Sequence, residues 1–301
     1  MKEQSSTFRR VYYGGSMRLR MFPSTSLFFA SLAVAVAGGC TSLVQSDRVQ
    51  CSTNDDCTRR GGEFTNSICV AQLCETPGPW SCLGHVVWPT PGPGTVTATL
   101  TATDLITSRP VPGVPARVCR KLDTACADPV LTDLVSDAAG RLVIVVPQGF
   151  DGYVELSATG AMRGSYFFYP PLTSDREIPA VPILQATELA TFASLAGANL
   201  MAERGHLMVG ARSCVGLPVE GVSFSSLEGD ASTAPFYMIK GIPSAKQPAT
   251  DTSGWGGLLN LPPGSVTLTG RLAATGQSVG TLSVFARAGE LTYTALVPAP
   301  Q

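Results

Sequence analysis

Residues 95–102 constrain this chain more than any other stretch, because Thr95, Thr97, Thr99 and Thr101 alternate without a break with Val96, Ala98, Leu100 and Ala102. A period of two puts the four threonines on one face of an extended strand and the four apolar side chains on the other. A helix would scatter them around its circumference, so the segment is expected as a strand with one wet and one buried face. Of 301 residues, 31 are glycine and 23 proline, turn formers that suit many short strands better than long helices. With 44% hydrophobic and 14% charged residues, the chain can bury a core and is too apolar for disorder. The expected fold class is mostly β.

The N-terminal end has a different character. Lys2, Arg9, Arg10, Arg18 and Arg20 precede an apolar stretch over residues 27–37, which Gly38, Gly39 and Cys40 follow. A basic segment, an apolar core and small residues are the three parts of a secretory signal. The core is shorter than the ~20 residues a transmembrane helix needs. Ala37-Gly-Gly-Cys40 resembles the bacterial lipobox, whose cysteine is lipidated and becomes the mature N-terminus. The resemblance implies a signal peptide over 1–39, lipidation at Cys40 and an exported lipoprotein of the cell envelope. Thr41, standing where inner-membrane retention would favour Asp, points to the outer membrane or cell surface. An ordinary signal peptide is the alternative, and Met17 and Met21 are alternative starts. Without its leader the chain keeps 16 basic and 21 acidic residues. It has no basic cluster, which argues against nucleic acid as a partner.

Nine cysteines less Cys40 leave eight, an even number that in an exported chain points to disulfides. Cys51, Cys57, Cys69 and Cys74 fall in a polar segment too small to hold a core without staples. Three pairings are open there, and the interleaved one, Cys51 with Cys69 and Cys57 with Cys74, is the expected order. Zinc is the rival use, although the gaps depart from the short hooks of zinc modules. Together with the lipobox, the segment resembles the Cys-rich stalks of myxobacterial surface lipoproteins.

Two stretches echo one another. Val111-Pro-Gly-Val114 returns as Val219-Glu-Gly-Val222, and Asp137-Ala-Ala-Gly140 as Asp251-Thr-Ser-Gly254. Each Asp-x-x-Gly precedes an apolar run and a proline-glycine turn, at Pro147-Gln-Gly149 and Pro263-Gly264. Asp bonds its own backbone at a turn start and Gly supplies positive φ, so both mark a strand-to-strand connection. The second copy is longer between the motifs, read as a loop insertion around residues 233–248. On these motifs both copies resemble the carboxypeptidase regulatory-like domains of the transthyretin (prealbumin) type. The resemblance implies two tandem Ig/transthyretin-like β-sandwiches and brings no catalytic residues with it. Cys119 and Cys126 depart from that pattern and are expected as a staple on a loop. By subtraction Cys82 then pairs with Cys214, the alternative being that Cys82 joins the knot. Residues 187–197 read as a short helix with Leu189, Phe192 and Leu195 near one face and Gly197 as its stop. The expected organisation is a signal peptide over 1–39, a Cys-rich stalk over 40–78, a first sandwich over 79–175, a linker with a short helix over 176–202 and a second sandwich over 203–301.

No local catalytic signature is present. His85 and His206 are the only histidines, and neither is spaced from Cys, Asp or Glu as a motif requires. A triad assembled only in space stays open. Asp55-Asp56 beside Asn54 is expected as a solvated turn rather than a Ca²⁺ loop. No cofactor or metal is expected. Tyr166, Tyr169, Tyr237 and Trp255 are the candidate binding aromatics, for a carbohydrate or protein ligand, although burial in the core is the favoured expectation for most of the aromatics. The function expected is a non-catalytic, lipid-anchored surface module for binding or display. Alternatives are an accessory subunit of an extracellular hydrolase or processing system and a purely structural envelope protein.

Overall fold

Residues 49–76 have too few apolar side chains for a core, and covalent bonds hold them instead. In the computed structural model, which describes residues 49–64 and 67–300, they form a helix α1 (Asn54–Thr58) and a hairpin of β1 (Ile68–Val70) and β2 (Leu73–Glu75). Disulfides Cys51–Cys69 and Cys57–Cys74 tie helix to hairpin in the interleaved order. Their sulfurs are therefore not thiolates that a zinc ion could take. The Asp56 carboxylate accepts the N–H groups of Ser52 (2.8 Å) and Thr53 (2.9 Å). These bonds draw its pKa down to about 2, and the Asp55-Asp56 pair is helix-start material. The leader and Cys40 lie outside the described residues.

The first copy contributes β3 (Thr95–Asp104), β4 (Pro115–Arg120), β5 (Leu131–Val135), β6 (Arg141–Pro147), β7 (Gly152–Leu156) and β8 (Gly164–Phe167). Residues expected as linker add β9 (Arg176–Glu177) and β10 (Val181–Ile183), which pair parallel with β3. They are followed by α2 (Ala186–Leu195). The second copy contributes β11 (Gly205–Ala211), β12 (Val222–Ser226), β13 (Ala234–Ile239), β14 (Ile242–Ser244), β15 (Trp255–Leu261), β16 (Gly264–Leu272), β17 (Ser278–Ala286) and β18 (Leu291–Leu296).

Each copy is a sandwich, and the two share a sheet. Nine strands run in the order β14-β13-β15-β11-β18-β8-β7-β4-β5, so one layer of the first copy continues into one layer of the second. The splice is β18, which pairs parallel with β8 on one side and β11 on the other. Parallel strands are normally covered on both faces, and here β7, β8 and β11 are buried throughout. One face of the shared sheet packs under the sheet of β3, β6, β9 and β10 and under α2, with Leu100, Ile144, Tyr166, Leu189 and Tyr293 in that core. The other face packs under β12, β16 and β17, with Tyr153, Phe167, Leu207, Leu268 and Phe285. Successive residues supply opposite cores, as Tyr153 and Val154, or Tyr166 and Phe167, show.

The duplication extends to individual hydrogen bonds. Ser136 Oγ accepts the Val114 N–H (2.9 Å) and donates to the Val111 carbonyl (2.9 Å). Thr250 Oγ1 accepts the Val222 N–H (3.1 Å) and donates to the Val219 carbonyl (3.0 Å). Asp137 Oδ1 accepts from Ala139 N and Asp251 Oδ1 from Ser253 N, each at 2.9 Å. Gly140 and Gly254 both have φ of 72°. A Cβ at either would stand 2.6 Å from a carbonyl oxygen, of Ala102 or Ala211, so only glycine closes the turn.

Two expectations are corrected. Residues 233–248 are not an inserted loop, because β13 and β14 form a hairpin there and β13 pairs with β15. Leu195 does not share the buried face of α2. It is 61% exposed, and the face consists of Leu189, Phe192, Ala193 and Ala196, the i, i+3, i+4, i+7 set. Phe192 meets Phe236 edge-on at 4.9 Å, so α2 covers the second copy's half of the shared sheet. Gly197, with φ of 74°, ends the helix.

Candidate functional site

Where the open end of the first sandwich meets the shared sheet, a cleft of about 300 Å³ is left. The end of β3 and its loop supply Asp104, Leu105 and Ser108, β10 supplies Pro182, and β11, β13 and β15 supply Met208, Met238 and Trp255. Trp255 opens β15 directly after the Asp251-Gly254 turn and stands opposite Gly210, whose missing side chain leaves room for the indole. The Arg212 guanidinium lies 6.0 Å from the Trp255 ring centroid. Asp104 is fixed by its own loop: Oδ1 accepts the Thr107 N–H and hydroxyl, each at 2.7 Å. These bonds, the hydroxyl's first, hold the carboxyl below its usual pKa. An apolar concavity with a few convergent polar groups is the usual form of a small-ligand site.

The other candidate aromatics lie elsewhere. Tyr166 and Tyr237 are corrections, since both are buried, 5% and 4% exposed, and belong to opposite cores. Burial pushes the Tyr166 phenol up to about 12. Tyr237 uses its hydroxyl oxygen to accept the Phe224 N–H at 3.0 Å. Tyr169 is half-buried, donates to the Thr281 carbonyl (3.0 Å) and meets Trp88 edge-on. Trp255 alone of the four lines the seam cleft. Sequence reasoning missed Asp104, Met208 and Met238. A signal was available for Met208, an apolar residue on the face of β11 where β3 carries threonine.

Of the polar groups weighed for chemistry, His206 and Glu155 are bonded within the fold and His85 is exposed. His206 is 2% exposed, and its Nδ1 accepts the Asn260 N–H at 3.3 Å. Burial lowers its pKa to about 4, which keeps the ring neutral. His85 is exposed and lines a groove with Trp88 and Pro170 beside the Cys82–Cys214 disulfide. Glu155, 4% exposed, accepts from Arg117 (2.7 and 2.9 Å) and from Arg287 (2.8 Å). Arg287 also bonds Glu290 and the Thr124 carbonyl, so this network ties the end of β17 to β7 and to the loop that Cys119–Cys126 closes. A buried carboxylate paired this fully is satisfied rather than reactive.

No family model and no curated protein matches this chain. Among solved structures it aligns with the shaft pilin SpaA of Lactobacillus rhamnosus GG at 12% identity, over 70% of this chain and 99% of that one, with a TM-score of 0.23. The major pilin subunit of Bacillus cereus aligns at 8% identity, over 68% and 100%, with a TM-score of 0.22. The minor pilin of Streptococcus agalactiae aligns at 15% identity, over 68% and 98%, with a TM-score of 0.21.

Proposed function

We propose that this protein is a non-catalytic surface module, exported, held at the outer membrane by lipid on Cys40, and used for binding or display. Cysteine pairing carries this reading. The four disulfides take up Cys51, Cys57, Cys69, Cys74, Cys82, Cys119, Cys126 and Cys214. Of nine cysteines only Cys40 is left, and it stands directly after the apolar leader where a lipobox would place it. Disulfides in this number suit an oxidising compartment. Among the described residues no helix is long and apolar enough to cross a membrane. Residues 40–78 serve as a stalk, and residues 79–175 and 203–301 as two sandwiches of the carboxypeptidase regulatory-like type, on the turn wiring they share. Because one sheet runs through both, whatever the module presents is held on a rigid body.

The test is metabolic labelling with radioactive palmitate. Label is expected in the wild-type protein and not in Cys40→Ala, which should leave the membrane fraction. Equal label in both would remove the anchor.

A further inference from the structure

The geometry points to the seam cleft as a binding site for a small amphipathic amine, one ring in size, whose apolar body lies among Trp255, Met208, Met238 and Leu105 and whose ammonium meets the Asp104 carboxylate. The inference rests on the binding-module reading above and gives it a ligand class. Of the residues lining the cleft, Asp104 alone is charged. Among the described residues it forms no salt bridge, and hydrogen bonds from Thr107 favour its ionised form. A ligand that fills the cleft takes water away from that carboxylate, and burying an ionised carboxylate without a partner is costly. An occupant that brings a donor offsets that cost, and a cationic donor compensates best. An anionic ligand meets like charge. The volume of about 300 Å³ lies at the small end of ligand sites. Indole and thioether side chains favour an aromatic or branched aliphatic body.

The cleft also marks where the duplicated copies have diverged. Trp255 follows Gly254 as Arg141 follows Gly140, and Met208 occupies the place that Thr99 has on β3. The wiring of the turns is kept in both copies, whereas the second copy's contribution to the cleft, Trp255 and Met208, has no counterpart in the first.

The experiment uses the mature chain with Cys40→Ala and all disulfides intact, titrated with 2-phenylethylamine, 2-phenylethanol and phenylacetate while the Met208 and Met238 methyl signals and the Trp255 indole N–H are followed by NMR. Saturable shifts with the amine are expected, about tenfold weaker binding of the alcohol, and none of the acid. Asp104→Asn should weaken the amine about tenfold and leave the alcohol unchanged, and Trp255→Ala should weaken both. No shifts with the amine, binding of the acid equal to that of the amine, or amine affinity unchanged in Asp104→Asn would each overturn the inference. If Trp255→Ala does not fold, Asp104→Asn decides alone. Palmitate labelling is independent of the cleft, so a silent cleft on a labelled protein defeats the ligand class and leaves the anchored module standing.

Discussion

β3 and β11 open the two copies, end at equivalent turns and donate from Ala102 and Ala211 to equivalent glycine carbonyls, yet their outer faces meet different surroundings. On β3 that face is threonine, exposed at Thr95 and half-buried at Thr97 and Thr101. On β11 the places of Thr97 and Thr101 hold His206 and Gly210, both buried, and Met208 stands where β3 has Thr99, which is buried too. The difference follows from the splice. β18 joins the second copy's β11 layer to the first copy's β8 layer, so the β11 face that would have been wet is covered by the first copy's core and α2. Duplication kept the turns, which depend on local bonds, and changed the faces, which depend on what packs against them.

If the splice joins the copies, ending the chain at Gly289 should be the most damaging change. It removes Leu291, Tyr293 and Leu296, each 4% exposed or less, and leaves β8 and β11 unpaired along the seam. The loss should exceed the whole stability of an ordinary domain, about 5–15 kcal/mol, and abolish cooperative unfolding by circular dichroism. A first copy that stays folded and protease-resistant without β18 would show the two to be independent. Next in size is the disulfide Cys82–Cys214, whose partners are 132 residues apart. The double variant Cys82→Ser, Cys214→Ser should lose about 5 kcal/mol by chain entropy and still unfold in one transition in denaturant, since β18 still couples the copies. Two transitions would mean that the disulfide, not the sheet, holds them together.

Much of this comparison was legible in the residues. The threonine alternation marked β3, the repeated Asp-x-x-Gly marked both turns, and the even cysteine count pointed to disulfides, with the interleaved knot one of three open pairings. The splice was not legible, because strand order depends on which edges meet across more than a hundred residues. That Tyr166 and Tyr237 belong to opposite cores was hidden for the same reason. An aromatic on a strand gives no sign of whether its sheet is covered on one face or two. Leu195 lies about 120° round the helix from Leu189, farther than Ala193 or Ala196, and its size rather than its angle suggested the buried face.

The buried face of β11 should also make the second copy sensitive to acid. His206 has its pKa lowered from 6.5 to about 4 by burial, so between those values the unfolded chain binds a proton that the folded chain refuses. Stability is then full above pH 6.5 and falls as pH drops toward 4, by about 3 kcal/mol in all. Denaturant midpoints measured across that range should slope for the wild type and flatten for His206→Gln. The same slope in both would place the acid sensitivity elsewhere. Thr97, at the equivalent point of β3, cannot titrate in this range and gives the first copy no such dependence.

The smallest effect expected is at Leu195, and it tests which face of α2 covers the second copy. A leucine that is 61% exposed has little apolar surface to return to water when it is shortened. Alanine is also the better helix former, so the two contributions oppose each other. Leu195→Ala should therefore shift stability by less than about 0.5 kcal/mol. Leu189, one helical face away and 2% exposed, belongs to the core between α2 and the shared sheet, where the same truncation costs about 2–5 kcal/mol. Denaturant unfolding of the two variants side by side separates the alternatives. Equal losses would mean that the stripe through Leu189, Phe192 and Leu195 packs inward after all, and that α2 is turned relative to the sheet it covers. A loss confined to Leu189 leaves the helix on the Ala193 and Ala196 face, with Phe192 against Phe236.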